Sequence, residues 1–347
     1  MKLPTAGEAL AAMDDSVKGV LEGNRRMIAR MLTAVENEDE GAANALTALF
    51  PQTGQALVLG VTGAPGTGKS SLVNVLAKAY RAIDKTVGIV AVDPTSPFSG
   101  GAILGDRIRM SELSGDAGVF IRSMATRGSL GGLARATRDV VRVLDAAGFD
   151  VIMVETVGAG QSEVDIVRMS QTTLVVEAPG MGDDVQAIKA GILEIADILV
   201  INKADRPGAE RTRRSLKAML ELGHPTARTQ LMDRQGHLIA LTTASDDEVW
   251  VPPLIQTVAT SAQGIDALIE AIGAHQDYLD RTGLRSVLER QHFQIELLDR
   301  LQHTAVARIL QSLPEIYIRD LVDRVQAREL NLRQAVNEIM ESQNIIP

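Results

Sequence analysis

One stretch carries residue types and spacing that belong to phosphate chemistry. Gly63, Ala64, Pro65, Gly66, Thr67, Gly68, Lys69, Ser70 and Ser71 form Gly-x-x-x-x-Gly-Lys-Ser-Ser. Glycines at these positions let backbone N–H groups point inward at a phosphate where side chains would clash. An apolar run, Ala56 to Val61, leads in, and a helical pattern (Leu72, Val73, Leu76, Tyr80) follows. That is the strand–loop–helix context the motif requires, and the helix N-terminus adds its positive dipole end. Lys69 would reach the β- and γ-phosphates, and Ser70 would offer its hydroxyl to Mg²⁺.

A second group reads the base. Asn202-Lys-Ala-Asp205 follows another apolar run. Guanine presents a ring N–H and an exocyclic amine side by side, and one carboxylate, Asp205, can accept both. Adenine has no such pair, so the motif selects GTP over ATP. Asn202 and Lys203 would hold the loop and the purine face. Ser261-Ala262, after the next strand, fits a backbone N–H contact to the guanine carbonyl.

A third group concerns hydrolysis. Glu155-Thr-Val-Gly158 ends a buried strand. The acid would order Mg²⁺ through water and the Gly158 N–H would bond the γ-phosphate, so that GTP draws the segment in and hydrolysis releases it. Asp93 and Asp106 are further candidates for the metal shell, with a solvated loop acid as the lesser alternative for Asp106. Mg²⁺ takes one or two carboxylates plus waters and phosphates, so not all three need be direct ligands. The position after Gly158, where Ras-like enzymes place a water-orienting glutamine, is Ala159, and Gln161 lies further on. Slow intrinsic hydrolysis is expected. Arg107, Arg109, Arg122 and Arg127 surround this region, without a feature that selects one of them for the γ-phosphoryl.

The elements that must position these groups alternate. Apolar runs at Thr86–Asp93, Gly118–Arg122, Asp150–Glu155, Thr173–Ala178 and Ile198–Asn202 are separated by helical patterns such as Leu130–Ala147. Val/Ile-rich runs between helices predict an α/β fold, a P-loop core with a mostly parallel sheet covered on both faces. Each motif then falls at a strand's carboxyl end, where such sheets bind ligands. Residues 8–36 predict two helices broken at Gly23-Asn24, and Ala42–Phe50 a third. Residues 206–248 are polar with one helix, Glu210–Leu222. Trp250–Thr260 predicts a strand and Gly264–Ile272 a helix. From about Asp280 the pattern is helical, with Leu284, Leu288, Ile295, Leu298, Ala305 and Ile309 on one face, an interruption at Pro314, and a capping box of Asn331 and Gln334 opening a last helix through Met340. The expected organisation is an N-terminal helical extension over 1–52, a nucleotide domain over 53–280 and a helical arm over 281–347.

Composition narrows the function further. The 347 residues are 45% apolar and 23% charged, with no cysteine and a net charge of −9. No disulfide scaffold, thiolate nucleophile or Cys-ligated metal is available. The acidic balance disfavours nucleic acid, no apolar run suits a membrane span, and the N-terminus carries no signal-peptide pattern, so a cytoplasmic location is expected. The five histidines show no ligand spacing, which argues against a nickel-insertion GTPase.

Together the motifs resemble the MeaB-type GTPases, chaperones of adenosylcobalamin-dependent acyl-CoA mutases. Gly23-Asn-Arg-Arg26, Val92-Asp-Pro-Thr-Ser-Pro97, Gly100–Arg107, Gly128–Leu133, Glu155–Glu163, Pro179–Gln186 with Ile188–Ile192, and Trp250-Val-Pro-Pro253 are similar to that family's blocks. The resemblance implies a GTP-gated helper that admits adenosylcobalamin to a mutase, with GTP hydrolysis stimulated by that partner. It implies that Glu177 to Lys189, with Asp183, Asp184, Gln186 and Lys189, is a switch coupling nucleotide state to the mutase. It also implies a homodimer through the C-terminal helices. Glu177 stands where many relatives are apolar, which leaves the choice among acyl-CoA mutases open. The competing reading is a P-loop kinase acting on a small molecule or transport protein. A signal-recognition-type GTPase, which would call for a Met-rich basic domain, is disfavoured because the methionines are spread along the chain and the charge balance is acidic.

Overall fold

The computed structural model describes residues 15–39, 41–93, 112–113, 115–125, 132–156, 166–180, 195–222, 230–232, 238–240 and 249–342. These fall in two compact units, Met1–His292 and Phe293–Pro347.

The first unit is built on a seven-stranded sheet. Its strands are β1 (Leu57–Thr62), β2 (Val87–Asp93), β3 (Val119–Ala125), β4 (Val151–Thr156), β5 (Thr172–Glu177), β6 (Ile198–Ile201) and, after the short pair β7 (Gln230–Met232) and β8 (Leu238–Ala240), β9 (Leu254–Gln256). The order across the sheet is β3-β2-β4-β1-β5-β6-β9. Every neighbouring pair is parallel.

Burial on both faces explains the unbroken apolar runs, because alternate side chains serve alternate faces. On one face Val58, Ile152 and Val154 meet Val20, Ile28, Leu32 and Leu49 from α1 (Asp15–Leu21), α2 (Arg25–Glu36) and α3 (Ala42–Leu49), together with Val140 and Leu144 from α5 (Gly132–Ala146). On the other face Leu59, Val61 and Met153 meet Leu72 and Leu76 from α4 (Lys69–Ala82) and Leu268 and Ile272 from α7 (Ile265–Arg281). The N-terminal helices thus share the core of the sheet. They are also tied to its edge: Arg25 donates to the Ala117 and Val119 carbonyls at 2.8 Å each.

Carboxylates fix where strands begin. Asp145 on α5 accepts the backbone N–H groups of Gly54, Gln55 and Ala56, which sets the entry to β1. Asp150 accepts from Thr86 N–H at 2.8 Å and Thr86 Oγ1 at 2.7 Å, pinning β2 beside β4. Burial pushes the Asp150 carboxyl up, but the Thr86 and Lys85 hydrogen bonds outweigh it and leave it below the usual carboxylate range. The hydrogen bond from Arg81, followed by that from the Gly118 N–H, holds Asp116 low in the same way.

The parallel sheet and its flanking helices agree with the expectation. Three details differ. The polar stretch contains the antiparallel pair β7–β8 in addition to α6 (Ala209–Leu222); strands of three residues are too short to leave a periodic signature. β9 covers only Leu254–Gln256: before it Pro252 and Pro253 have no N–H to enter the ladder, and after it the chain turns into a 3-10 helix at Ala259–Ser261. α7 runs on past Ile272 to Arg281.

The second unit contains the rest of α8 (Leu284–Ser312), then α9 (Glu315–Gln326) and α10 (Leu332–Ser342). Leu321, Leu330 and Ala335 form its small core. Asn331 and Gln334 bond each other's backbone N–H at 2.8 and 2.9 Å, the expected capping box. The face expected on α8 is unevenly covered: Ile295 is buried, whereas Leu298 and Ala305 are exposed.

Candidate functional site

β1 ends at Thr62 in the middle of the sheet, and the loop that follows depends on backbone conformations that favour glycine. Gly63, Gly66 and Gly68 all have positive φ, at 139°, 83° and 92°. A Cβ on Gly63 would run into the Val176 carbonyl of β5, and one on Gly68 into the Asn202 amide. α4 then starts at Lys69 with Gly68 as its N-cap and no side-chain cap. Its first N–H groups therefore face the loop without an internal acceptor.

Lys69 is buried, and its ammonium donates to the Gly63 and Ala64 carbonyls at 2.8 and 3.0 Å. That holds the charge inside the ring of the loop. Thr67 Oγ1 donates to the Ala64 carbonyl at 3.0 Å and tightens the turn. Ser71, one residue into the helix beyond Ser70, is exposed.

Beside the loop stands β4, whose Glu155 pairs in register with Val61 of β1 and Ala91 of β2. Ser70 Oγ donates to Glu155 Oε1 at 2.6 Å, and both residues are buried. Two hard oxygen donors in contact at the end of a parallel sheet are a donor set that suits a small divalent cation such as Mg²⁺. Among the described residues no cluster of three or more acidic or histidine ligands accompanies them.

The Asn202–Asp205 motif follows β6, two strands from β1 on the side away from β4. Asn202, at the end of β6, is buried and uses every polar atom of its side chain. Nδ2 donates to the Thr67 carbonyl at 2.9 Å. Oδ1 accepts from Thr257 Oγ1 at 3.3 Å and from the Ala259 N–H at 3.2 Å. Lys203 adopts φ 57° and donates from Nζ to the Gly66 carbonyl at 2.6 Å. Asp205 is exposed at the rim. Ser261 Oγ turns back to the Val258 carbonyl at 3.4 Å, and Ala262 takes the left-handed conformation at φ 56°. The Ser261-Ala262 turn therefore presents backbone near Asp205's loop, to which the Ala204 N–H to Thr257 carbonyl bond at 3.0 Å ties it.

The structure thus gathers Gly63 to Ser70, Glu155, Asn202 to Asp205 and Ser261-Ala262 along the carboxyl ends of β1, β4, β6 and β9. Asp93 closes β2 in the same row, although its side chain lies outside what is described. Asp106, Gly158, Gln161, Asp183, Asp184, Gln186 and Lys189 also lie outside the described residues, as do Arg107, Arg109 and Arg127. Of the arginines considered, Arg122 is engaged with Glu36 of α2 and donates to Thr33 Oγ1 at 3.3 Å.

Sequence reading did not reveal how directly the two motifs are joined. Asn202 and Lys203 bond to three carbonyls of the phosphate loop, those of Thr67, Gly68 and Gly66. The Thr156 Oγ1 to Thr62 Oγ1 bond at 3.1 Å between β4 and β1 was also unforeseen. Hydroxyls at two strand ends are a signal only once the register is known.

The chain is similar in sequence and fold to known proteins. A crystal structure of a LAO/AO transport system kinase matches with a TM-score of 0.65 at 26% identity, covering 99% of this chain and 100% of that one. A protein of Pyrococcus abyssi that carries a GTPase name is 43% identical over 95% of this chain and 96% of its own length. GTPase ArgK of Escherichia coli is 32% identical over 95% of this chain and 96% of its own. The mouse mitochondrial protein named methylmalonic aciduria type A homolog is 31% identical over 81% of this chain and 67% of its own. The family model for the methylmalonyl Co-A mutase-associated GTPase MeaB matches residues 28–313. With its phosphate loop locked to an Asn-Lys-x-Asp base motif, the chain is a P-loop GTPase belonging to the MeaB family.

Proposed function

We propose that the chain is a GTP-gated chaperone of an adenosylcobalamin-dependent acyl-CoA mutase, such as methylmalonyl-CoA mutase or a relative acting on a branched or hydroxylated acyl-CoA. The observation that carries this reading is the family match over residues 28–313, whose description couples a GTPase to that mutase.

In this reading GTP lies along the row of strand ends. Gly63 to Gly68 and the start of α4 surround the phosphates, Lys69 neutralises the β- and γ-phosphoryl charge, and Asp205 accepts the two guanine donors. Ser70 and Glu155 hold Mg²⁺, with Asp93 and Asp106 as further members of its surroundings. The cation supplies charge neutralisation for the phosphoryl group. Gly158 bonds the γ-phosphate and Gln161 stands in the segment that must order water. With Ala159 following the glycine, unassisted hydrolysis is slow and the mutase stimulates it.

Asp183, Asp184, Gln186 and Lys189 follow β5, whose last residue lies beside Asn202: the Asn202 N–H donates to the Glu177 carbonyl at 2.8 Å. A segment launched from there is well placed to carry nucleotide state to a partner. The protein works as a homodimer, supported by Leu297, Leu301 and Leu310 on α8, which are 68%, 61% and 52% exposed. No helix among the described residues is long and apolar enough to cross a membrane, and a cytoplasmic site of action is proposed.

The test is co-purification of GTP-loaded, GDP-loaded and nucleotide-free protein with a cobalamin-dependent acyl-CoA mutase, followed by adenosylcobalamin loading of the mutase. Nucleotide-dependent binding and loading are expected. If no such mutase binds, or loading is indifferent to the nucleotide, the reading falls. Transfer of the GTP γ-phosphate onto another molecule, instead of its release as free phosphate, would favour a kinase.

A further inference from the structure

At the amino-terminal end of the same strands, away from the nucleotide site, lies a buried polar cluster that GTP hydrolysis does not use. Asp197, just before β6, has no exposed surface, and His275 on α7 is 2% exposed. His275 Nε2 lies 3.0 Å from Asp197 Oδ1. Its Nδ1 is 2.8 Å from Thr172 Oγ1, the first residue of β5, which also accepts from Gln276 Nε2 at 2.6 Å. Asp197 Oδ2 accepts the Thr173 N–H at 2.7 Å. Trp250 closes the cluster. Its indole N–H donates to the Asp197 carbonyl at 2.8 Å, and its ring centroid lies 4.8 Å from that of His275 and 5.4 Å from that of Tyr278.

A buried carboxylate–imidazole pair is a poor route to stability, since apolar side chains of the same volume do as well. What such a network offers is a single geometry, because each member has few partners and fixed directions. Three elements lead from this cluster to the base-recognition loops, while β5 starts in it at Thr172 and runs to Glu177 beside Asn202. From Asp197, β6 runs about 16 Å to Asn202 and Asp205. From Trp250, the chain passes Pro252 and Pro253 into β9 and on to Ser261-Ala262. From His275, α7 runs back to Gly264, next to the same turn. β9 needs an anchor: it is an edge strand with only three register pairs, Leu199–Leu254, Val200–Ile255 and Ile201–Gln256.

We propose that Asp197, His275 and Trp250 are positioning residues for guanine recognition. They form a strut that fixes β9 and α7 against β6, so that the Ser261-Ala262 backbone and the Asp205 carboxylate meet the base together. None of them touches the nucleotide. The proposal rests on guanine being read at Asp205.

The test uses the full-length chain and compares His275→Ala, His275→Gln and Trp250→Phe with wild type. Four readouts are needed: KM for GTP, kcat, Kd for fluorescent methylanthraniloyl-GDP, and Kd for inorganic tripolyphosphate. A displacement on the ångström scale is expected to raise KM and the GDP Kd about tenfold in His275→Ala, with kcat and tripolyphosphate binding unchanged. His275→Gln keeps a donor toward Asp197 and should restore most of the loss. Trp250→Phe keeps one six-membered aromatic ring and loses the N–H with the rest of the indole, and about threefold is expected. Trp250 is the chain's single tryptophan, so in wild type its emission should respond to GDP and not to tripolyphosphate. An unchanged KM in folded His275→Ala overturns the proposal. So does parallel loss of GDP and tripolyphosphate binding, which marks general destabilisation. Should His275→Ala fail to fold, Trp250→Phe decides by the same criteria. Asp205→Asn is the separate check on the underlying reading: if it leaves the preference for GTP over XTP unaltered, guanine is not read at Asp205, whatever the strut variants do.

Discussion

In the proposed binding mode, the two ends of the nucleotide cradle are built in opposite ways. The phosphate end is one contiguous loop, Gly63 to Ser70, whose internal bonds from Lys69 and Thr67 close within a few residues. The base end is assembled from two strand ends, β6 and β9, that are far apart in sequence and are joined through the Asn202 amide. A contiguous loop owes its shape to its own glycines. An assembled site owes its shape to whatever holds its strands in register. Substitutions at the phosphate end should therefore change chemistry, and substitutions at the base end should change selectivity and affinity.

The largest effect is expected for Lys69→Ala. It removes the buried ammonium that bonds the Gly63 and Ala64 carbonyls. GTP turnover should fall by about a thousandfold, as for the loss of a preorganised charge partner, while the melting temperature without nucleotide stays close to wild type. Phosphate release at saturating GTP measures it. A residual rate within tenfold of wild type would mean that the phosphate lies elsewhere.

Asp205→Asn is the counterpart at the other end. An amide cannot accept both guanine donors, but it can donate to the 2-oxo group of xanthine. GTP affinity should drop about a hundredfold and XTP should gain, because buried donors left unpaired are what such sites reject. Competition binding reads this directly, with kcat at saturation little changed. Equal losses for both nucleotides would place the fault in the fold and not in base recognition.

Asn202→Ala breaks the distinction between the two ends, since one side chain serves both. It strands the Thr257 hydroxyl and the Ala259 N–H and frees the Thr67 carbonyl. About 3 kcal/mol of stability should be lost, with GTP and tripolyphosphate affinities falling together by about tenfold. If only one of the two falls, the ends are independent.

The same contrast explains what the sequence could and could not disclose. Gly63 to Ser70 and Asn202 to Asp205 are legible because the groups that act together are neighbours in the chain. The parallel sheet is legible because burial on both faces leaves Val/Ile runs such as Val151–Val154. The Asn331–Gln334 box is legible because a helix cap spans a fixed spacing. The cluster of Asp197, His275 and Trp250 is not: Asp197 and His275 are unremarkable in their own segments, Trp250 stands out only as part of Trp250-Val-Pro-Pro253, and only strand order brings the three together. The three-residue β7 and β8 gave too few alternations to detect. β9 was overextended because its apolar residues look strand-like while Pro252 and Pro253 silently withhold the N–H groups that a ladder needs.

The smallest expected effect concerns a part outside the cradle, the Asp150 tie that sets β2 beside β4. Its carboxyl is held below the ordinary range by Thr86 and Lys85 against the opposing effect of burial. A depressed carboxylate contributes stability above its unfolded value of about 3.9. That contribution is lost as pH falls through the lower folded value. Asp150→Asn keeps an acceptor for the Thr86 N–H but removes the charge, so the variant should melt slightly below wild type from pH 7 down to about 5. The gap should then close at lower pH, as wild type protonates the same group. Melting curves from pH 7 down to about pH 2 follow it. A gap that stays constant across this range would mean that the shape of the side chain, and not its charge, holds β2 in place. In either case GTP affinity measured at pH 7 should be unaltered, because the Asp150 tie lies at the start of β4, at the opposite end of the strand from Glu155 and Ser70.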